Sequence, residues 1–225
     1  MWPACSLTTI TAGSSISNMT TPNKVLPSPP IILWLLTFCS VFLWSGINAK
    51  DYYTWMLEVA PAVIALLIMT LTYRRFQMTT LVYCLVLIHS IILMVGGHYT
   101  YAEVPLFDGL FGMERNNYDK LGHLAQGFIP AMVARELLIR FNVVNGHYWR
   151  TLFILSFCLG FSAFYELIEW WVALLSGEGA DEFLGTQGYI WDTQSDMALA
   201  LIGAILALLS LSTIHNRQIK SLDSA

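Results

Sequence analysis

The chain has 225 residues, of which 56% are hydrophobic and only 12% charged, and its mean hydropathy is +0.60. Soluble domains average about 25% charged and about 45–50% apolar residues, so this chain lacks the polar surface to enclose a water-soluble globule and is expected to be an integral membrane protein. Its net charge of −4 and lack of any basic cluster argue against a nucleic-acid partner.

Residues 1–30 are rich in Ser, Thr and Pro and hold no apolar run of signal-peptide length. They are expected to be a disordered leader without function, with Met19 an alternative start to Met1. The four cysteines, Cys5, Cys39, Cys84 and Cys158, have no C-x-x-C spacing. They read as small buried hydrophobes, not as disulfides or zinc ligands.

Apolar runs able to cross about 30 Å of hydrocarbon are predicted near 31–48, 54–73, 79–97, 121–141, 151–175 and 195–213. The expected architecture is therefore all-α: a polytopic membrane helical bundle of about six transmembrane helices over 31–215, with a tail at 216–225. Lys and Arg set the orientation. Lys24, Arg74, Arg75, Arg140, Arg150, Arg217 and Lys220 fall on one side, against Lys50, Arg115 and Lys120 on the other. Both termini are thus expected to be cytoplasmic, with the longer loops 98–120 and 176–194 facing outward.

An ionisable group in hydrocarbon costs on the order of several kcal/mol unless paired, and marks a candidate site. Glu58 lies about one turn inside the outer end of the second run, and His98 closes the third. In "NNYDKLGHLAQGF", Asp119 and His123 open the fourth run four residues apart, on one helix face. In "FYELIEWW", Glu166 and Glu169 share a face of the fifth. In "YIWDTQSDMALAL", Asp192 and Asp196 open the sixth. All fall at the outer ends of their spans, where they can line one outward-facing pocket.

Plainer readings exist for several of them. Asp119 can serve as an N-cap, and Asp192 and Asp196 as first-turn acids favoured by the helix dipole. Glu166 and Glu169 lie mid-helix and have no capping role; their plainer reading is structural glue, bonded to tyrosines and tryptophans. Trp170 and Trp171 suit anchors in the membrane interface, and Arg135 and Glu136, near the inner end, are expected to snorkel or to pair. The segment "SGEGADEFLGTQGYIWD" combines four glycines with buried-type aromatics. It reads as an ordered lid or re-entrant segment, or as a loop lying on the lipid interface.

Imidazole plus carboxylates is a ligand set for a divalent metal. His123, Glu166, Asp192 and Asp196 are the candidate ligands, with Asp119 expected to orient His123. As acid–base groups the candidates are Asp119, His123, Glu166 and Glu169. The competing account leaves one or two carboxylates protonated and sharing hydrogen bonds with Tyr118, Tyr165 or Gln126. No H-E-x-x-H, G-x-S-x-G or Walker motif is present.

The motifs "NNYDKLGHLAQGFIPA", "FYELIEWW" and "GADEFLGTQGYIWDTQSDM" resemble the bacterial inner-membrane YjdF family, a domain of unknown function, over about residues 30–215. The resemblance implies a polytopic protein of the bacterial inner membrane and carries no established activity. A second likeness, to VanZ-like membrane proteins, rests on a D-K-x-x-H pattern met by Asp119, Lys120 and His123. It also rests on an acid in a later span, Glu166, and on Asp196 and Gly203 in the last; the Asn expected between those two is Ala200 here. It implies a cell-envelope setting.

Two functional readings follow. One is an intramembrane hydrolase or transferase acting on a lipid or lipid-linked envelope substrate. The other is a non-catalytic membrane protein or transporter that binds a cation or small solute with the same acids. The sequence leaves the choice open, along with oligomeric state.

Overall fold

The computed structural model describes residues 29–101, 103–105, 116–176 and 190–223, and no strand occurs among them. Among the described residues six helices follow in chain order: α1 (Pro29–Gly46), α2 (Tyr52–Thr72), α3 (Thr80–His98), α4 (Tyr118–Arg140), α5 (His147–Ser176) and α6 (Asp192–Asp223). They match the six predicted runs to within a few residues, except that α6 continues into the expected tail. The leader at 1–28 and the proposed lid at 177–189 lie outside the described residues.

Local chemistry sets the helix ends. The Asp51 carboxylate accepts from the Thr54 amide (2.6 Å), and Thr79 Oγ1 from the Val82 amide (3.4 Å), capping α2 and α3. Gln218 of α6 reaches across to accept from Leu81 N (2.9 Å), satisfying one of the first-turn donors of α3. That bond is one reason the last turns of α6 stay helical and packed.

By length and apolar composition α2, α3, α5 and α6 qualify as membrane spans, and α1 is a shorter apolar helix. Helix α4 carries Asp119, Lys120, Arg135, Glu136 and Arg140 and lies at the centre, packed against α3, α5 and α6. Its charges are tolerable because neighbouring helices, not lipid, surround most of it. The outside is apolar: Leu33, Leu71, Leu174 and Leu209 are each more than 60% exposed, as expected where the solvent is hydrocarbon. Cys39 and Cys84 belong to this exposed surface and only Cys158 is buried, all three as free thiols; burial was thus the wrong expectation for two of them.

The closest packing is between α4 and α6. Gly127 lies against the Ala200 backbone, and Gly203 against Leu124 O and Phe128 N, with no space for a Cβ at either glycine. Ala131, Ala134, Ala204 and Ala207 continue this small-residue seam, all buried. Without a hydrophobic driving force between helices in lipid, such small residues permit the close backbone contact that holds them. His123 and Asp196 lie one turn outward of Gly127 and Ala200, so the seam sets them face to face.

At the inner end the same helices are pinned by a buried polar network. Glu136, with no exposed surface, accepts from Thr79 N (2.9 Å), Thr79 Oγ1 (2.7 Å) and Arg140 Nη1 (2.9 Å), and lies 2.9 Å from His215 Nε2. Arg135 reaches His215 Nδ1 (2.9 Å) and donates to Asn216 Oδ1 (2.6 Å). The network joins the start of α3, the inner end of α4 and the last turns of α6. Of the two expectations for Arg135 and Glu136, snorkelling or pairing, it shows pairing, each with other residues of the network and not with each other.

Candidate functional site

The outer end of α3 is shaped by a left-handed turn. Thr100 and Tyr101 have φ of 55° and 56°, and Tyr101 N donates to Gly96 O (2.8 Å). Two consecutive non-glycine residues in this region cost about 1–3 kcal/mol each. The turn carries the Tyr101 ring back over Gly96, where a Cβ would overlap it, and against Gly122 of α4. There it is 8% exposed, edge-on to Tyr118 at 5.6 Å.

His123, on the second turn of α4, is the hub. Its side chain is 6% exposed, and Nε2 lies 3.4 Å from Asp119 Oδ1, 3.9 Å from Glu166 Oε1 and 4.0 Å from Asp196 Oδ2. The carboxylates come from α4, α5 and α6. On the opposite ring nitrogen, Nδ1 lies 3.1 Å from Gln126 Oε1. A proton on Nδ1 satisfies that bond and leaves Nε2 directed at the acids. Gln126 and Asp119 thus flank the ring on opposite nitrogens, Asp119 on the same nitrogen as the other two acids and nearer to it than either.

Asp119, His123 and Asp196 offer ligand atoms all within 4.8 Å of one another, and the Glu166 oxygen is close by. Glu166 Oε1 and Asp196 Oδ1 are buried without a hydrogen-bond partner among the described residues. A buried carboxylate oxygen is costly in that state. The donor set and these two unmet acceptors fit a divalent cation held by oxygen and imidazole, and equally fit added protons.

The other predicted residues separate around this centre. Asp192, first residue of α6 and 5% exposed, lies one turn outward of Asp196 and is not in the convergent group. Glu169 lines the adjoining cavity. Glu58 of α2 is 5% exposed and accepts from Tyr165 Oη (3.2 Å). His98 does not join them: Nδ1 sits 2.9 Å from Ser45 O and its ring packs on Trp44, tying α3 to α1. Tyr118 Oη donates to Ile92 O (3.0 Å), not to a carboxylate. Asp119 lies in the first turn of α4, whose N-cap is Asn117. Trp170 and Trp171 are about half exposed, as interface anchors would be.

A cavity of about 510 Å³ opens from this cluster, walled by α2 and α5 and backed by α3 and α4. Glu58, Tyr101, Asp119, His123, Gln126, Tyr165 and Glu169 form its outer part, and aliphatic and phenyl side chains its inner part. His89 of α3 also lines it. The pairs Tyr118–Ile92 and Glu136–Thr79 fix the antiparallel register of α3 and α4, putting His89 at a level between Leu121 and Gln126. Pro130 lies on the same wall and deprives the Gln126 carbonyl of its intrahelical donor. Neither His89 nor Tyr101 was signalled by the sequence: one sits inside an unbroken apolar run, the other in a connecting loop.

A bundle of apolar helices around a central charged helix, with one buried polar cluster at the outer end, defines a multi-pass membrane protein. A family model described as "Predicted membrane protein (DUF2238)" matches residues 30–217, and the chain belongs to that family. It is 48% identical over 188 residues, 82% of this chain and 90% of the relative, to "Inner membrane protein YjdF" of Escherichia coli (strain K12). This relationship bears out the expected family and an inner-membrane location. No solved structure matches the chain.

Proposed function

We propose that the protein is an intramembrane hydrolase or transferase whose outward-facing His123 site acts on a lipid or lipid-linked envelope substrate. One observation carries the reading: Nε2 of a single buried imidazole faces carboxylates from three helices, at the polar end of an otherwise apolar cavity. Such a cavity, with few convergent polar groups, is the usual form of a small-molecule site.

The chemistry follows from the ring's two partners. Gln126 holds Nδ1, so that Nε2 alone exchanges protons with groups in the cavity. A proton on Nε2 is stabilised by Asp119 at 3.4 Å and can pass to the leaving oxygen of an ester or phosphoester. Glu169, which lines the cavity, or Glu166 behind it would then receive the proton of an attacking water or acceptor hydroxyl. A divalent ion, if held by Asp119, His123, Asp196 and Glu166, would supply polarisation of the substrate oxygen and an activated water.

The alternative, a transporter or binder of a cation, has less support. A translocation path needs polar groups beyond the midplane, whereas the cavity lining from Ile129 and Phe161 inward is apolar.

The test uses purified protein in nanodiscs made from total bacterial lipid extract, supplied with divalent ions and followed by lipid mass spectrometry. The wild type should consume one lipid class, and His123→Gln should slow this by about 10²–10⁴-fold, the usual contribution of a general acid–base group. An unchanged lipid profile with the folded wild type, or equal turnover by His123→Gln, overturns the reading.

A further inference from the structure

The inner end of the bundle holds a second group of charges, beside the Glu136 network and at the far end of α4 from His123. On α5, Arg150, Ile154 and Cys158 follow at intervals of four and share one face. Cys158 Sγ donates to Gly127 O of α4 (3.6 Å), and the buried Ile154 packs in one cluster with Ala131. The two helices run antiparallel, so the next step along these faces sets Arg150 opposite Arg135. Their guanidiniums are close enough to repel one another.

Two like charges between helices need a counter-charge, and the chain places none between them. Arg135, 8% exposed, donates to His215 Nδ1 (2.9 Å) and Asn216 Oδ1 (2.6 Å). Both partners are uncharged, because the His215 nitrogen that accepts from Arg135 cannot also carry a proton. The neighbouring acid, Glu136, already has its charge matched by Arg140. Arg150 Nε is buried without a hydrogen-bond partner among the described residues. Neither Arg135 nor Arg150 forms an ion pair among them. Snorkelling would carry both heads into water; it does not account for an unmet, buried Nε on one and near-complete burial of the other.

Depth and chemistry indicate the ligand. Tyr148 and Trp149, just before Arg150, are largely exposed, as aromatic side chains at the headgroup level are. A guanidinium presents a fork of N–H donors that matches phosphate oxygens two at a time. Two forks from two helices suit a tetrahedral oxyanion, whose oxygens point in several directions, better than a planar carboxylate. Basic pockets between membrane helices on the cytoplasmic side are known to take anionic headgroups.

We propose that Arg135 and Arg150 form a binding site for a phosphate group at the inner end of α4 and α5, supplied by an anionic phospholipid headgroup or by free phosphate. The site is separate from the His123 centre and stands or falls independently of the reaction proposed there.

The test is thermal melting of the full chain, washed free of lipid in a neutral detergent. Inorganic phosphate, sodium chloride of matched ionic strength, phosphatidylglycerol and phosphatidylcholine are added in turn. The wild type should be stabilised saturably by a phosphate source. An effect of phosphatidylglycerol beyond phosphatidylcholine, without one of inorganic phosphate, assigns the headgroup; an effect of inorganic phosphate beyond chloride assigns the phosphate whatever carries it. Arg150→Gln should raise the half-saturating concentration by about tenfold or more, as expected for one lost charge-assisted hydrogen bond. Arg150→Lys, which keeps the charge but not the fork, should also bind more weakly than the wild type. Arg75→Gln removes the same charge from an exposed position at the same end and should change nothing. Without added anion, Arg150→Gln should melt no lower than the wild type, because it removes a repulsion and an unmet donor. A lower melting temperature there marks a structural residue and overturns the proposal. Absence of saturable stabilisation by either phosphate source, or equal losses in Arg150→Gln and Arg75→Gln, overturns it in favour of diffuse attraction to a positive surface.

Discussion

Replacing Gly127 by Ala tests whether the α4–α6 seam builds the site. The added methyl points into the backbone of Ala200, nearest to its carbonyl oxygen, an atom that no change of rotamer can move. To restore ordinary contact of about 3.5–4.0 Å the two helices must separate. Overpacking of a tight core costs about 1–3 kcal/mol, and an immovable backbone neighbour puts this substitution at about 3. The control is in the same protein: a Cβ on Gly160, mid-way along α5, meets nothing within 4 Å. Gly160→Ala should therefore be neutral or stabilising by about 0.5–1 kcal/mol, because Gly is the poorer helix former. Reversible unfolding in mixed detergent micelles, followed by circular dichroism, measures both. Separation at the seam should also draw Asp196 away from His123, since each lies one turn from the contact. Equal stability of the two variants, within about 0.5 kcal/mol, the scatter expected of unrelated surface changes, would refute the seam as the element that sets the site.

Three other outcomes follow. Reporter fusions at Asn145 and Lys50 should report cytoplasmic and external locations respectively, on the Lys/Arg asymmetry; the reverse result removes the outward-facing site. Glu136→Ala should cost about 3–5 kcal/mol in the same unfolding assay, the range for breaking a buried ion pair, because it strands Arg140, His215 and the Thr79 amide; a loss below about 1 kcal/mol, the range of exposed pairs, would contradict a network built on the fully buried Glu136 and His215. If a divalent ion completes the outer cluster, a chelator should lower the melting temperature, one particular ion should restore it, and Glu166→Gln should abolish that response. A melting temperature indifferent to chelation, with Glu166→Gln stabilising the fold, would leave protonated carboxylates as the answer.

The sequence was most informative where the solvent imposes a strict rule. In lipid every backbone group must be satisfied within helices or closed barrels, and continuous apolar runs of about 20 residues suit helices and not strands, so six such runs translated directly into six helices. The convergence of Asp119, His123, Glu166 and Asp196 was also legible, since ionisable residues at one membrane depth and on common faces have few other places to go. Tertiary detail was not. Nothing local indicated that Gly127 would meet Ala200, or that Thr100 and Tyr101 would turn left-handed and return a ring to the cavity. His98 shows the opposite failure: it shares the depth and the chemistry of the cluster, but a carbonyl of α1 captures it. Residues 216–223 read as a tail because they are polar, and they are helical because Gln218, Asn216 and His215 find partners on α3 and α4.

The two ends of α4 make the strongest case that the outer cluster is a site and not internal glue. Both ends bury ionisable groups contributed by several helices, so burial alone distinguishes neither. At the inner end Glu136 is surrounded by two donors from Thr79, an Arg140 guanidinium and a His215 ring. Its charge is matched and its acceptors are filled, as a purely structural network requires. At the outer end three carboxylates converge on one imidazole nitrogen, and Glu166 Oε1 and Asp196 Oδ1 have no hydrogen-bond partner among the described residues. A sequence selected only for stability would be expected to fill those acceptors, as it has done one helix length away. Leaving them open beside a cavity is the arrangement expected when the missing partner arrives from outside the chain, whether proton, cation or substrate.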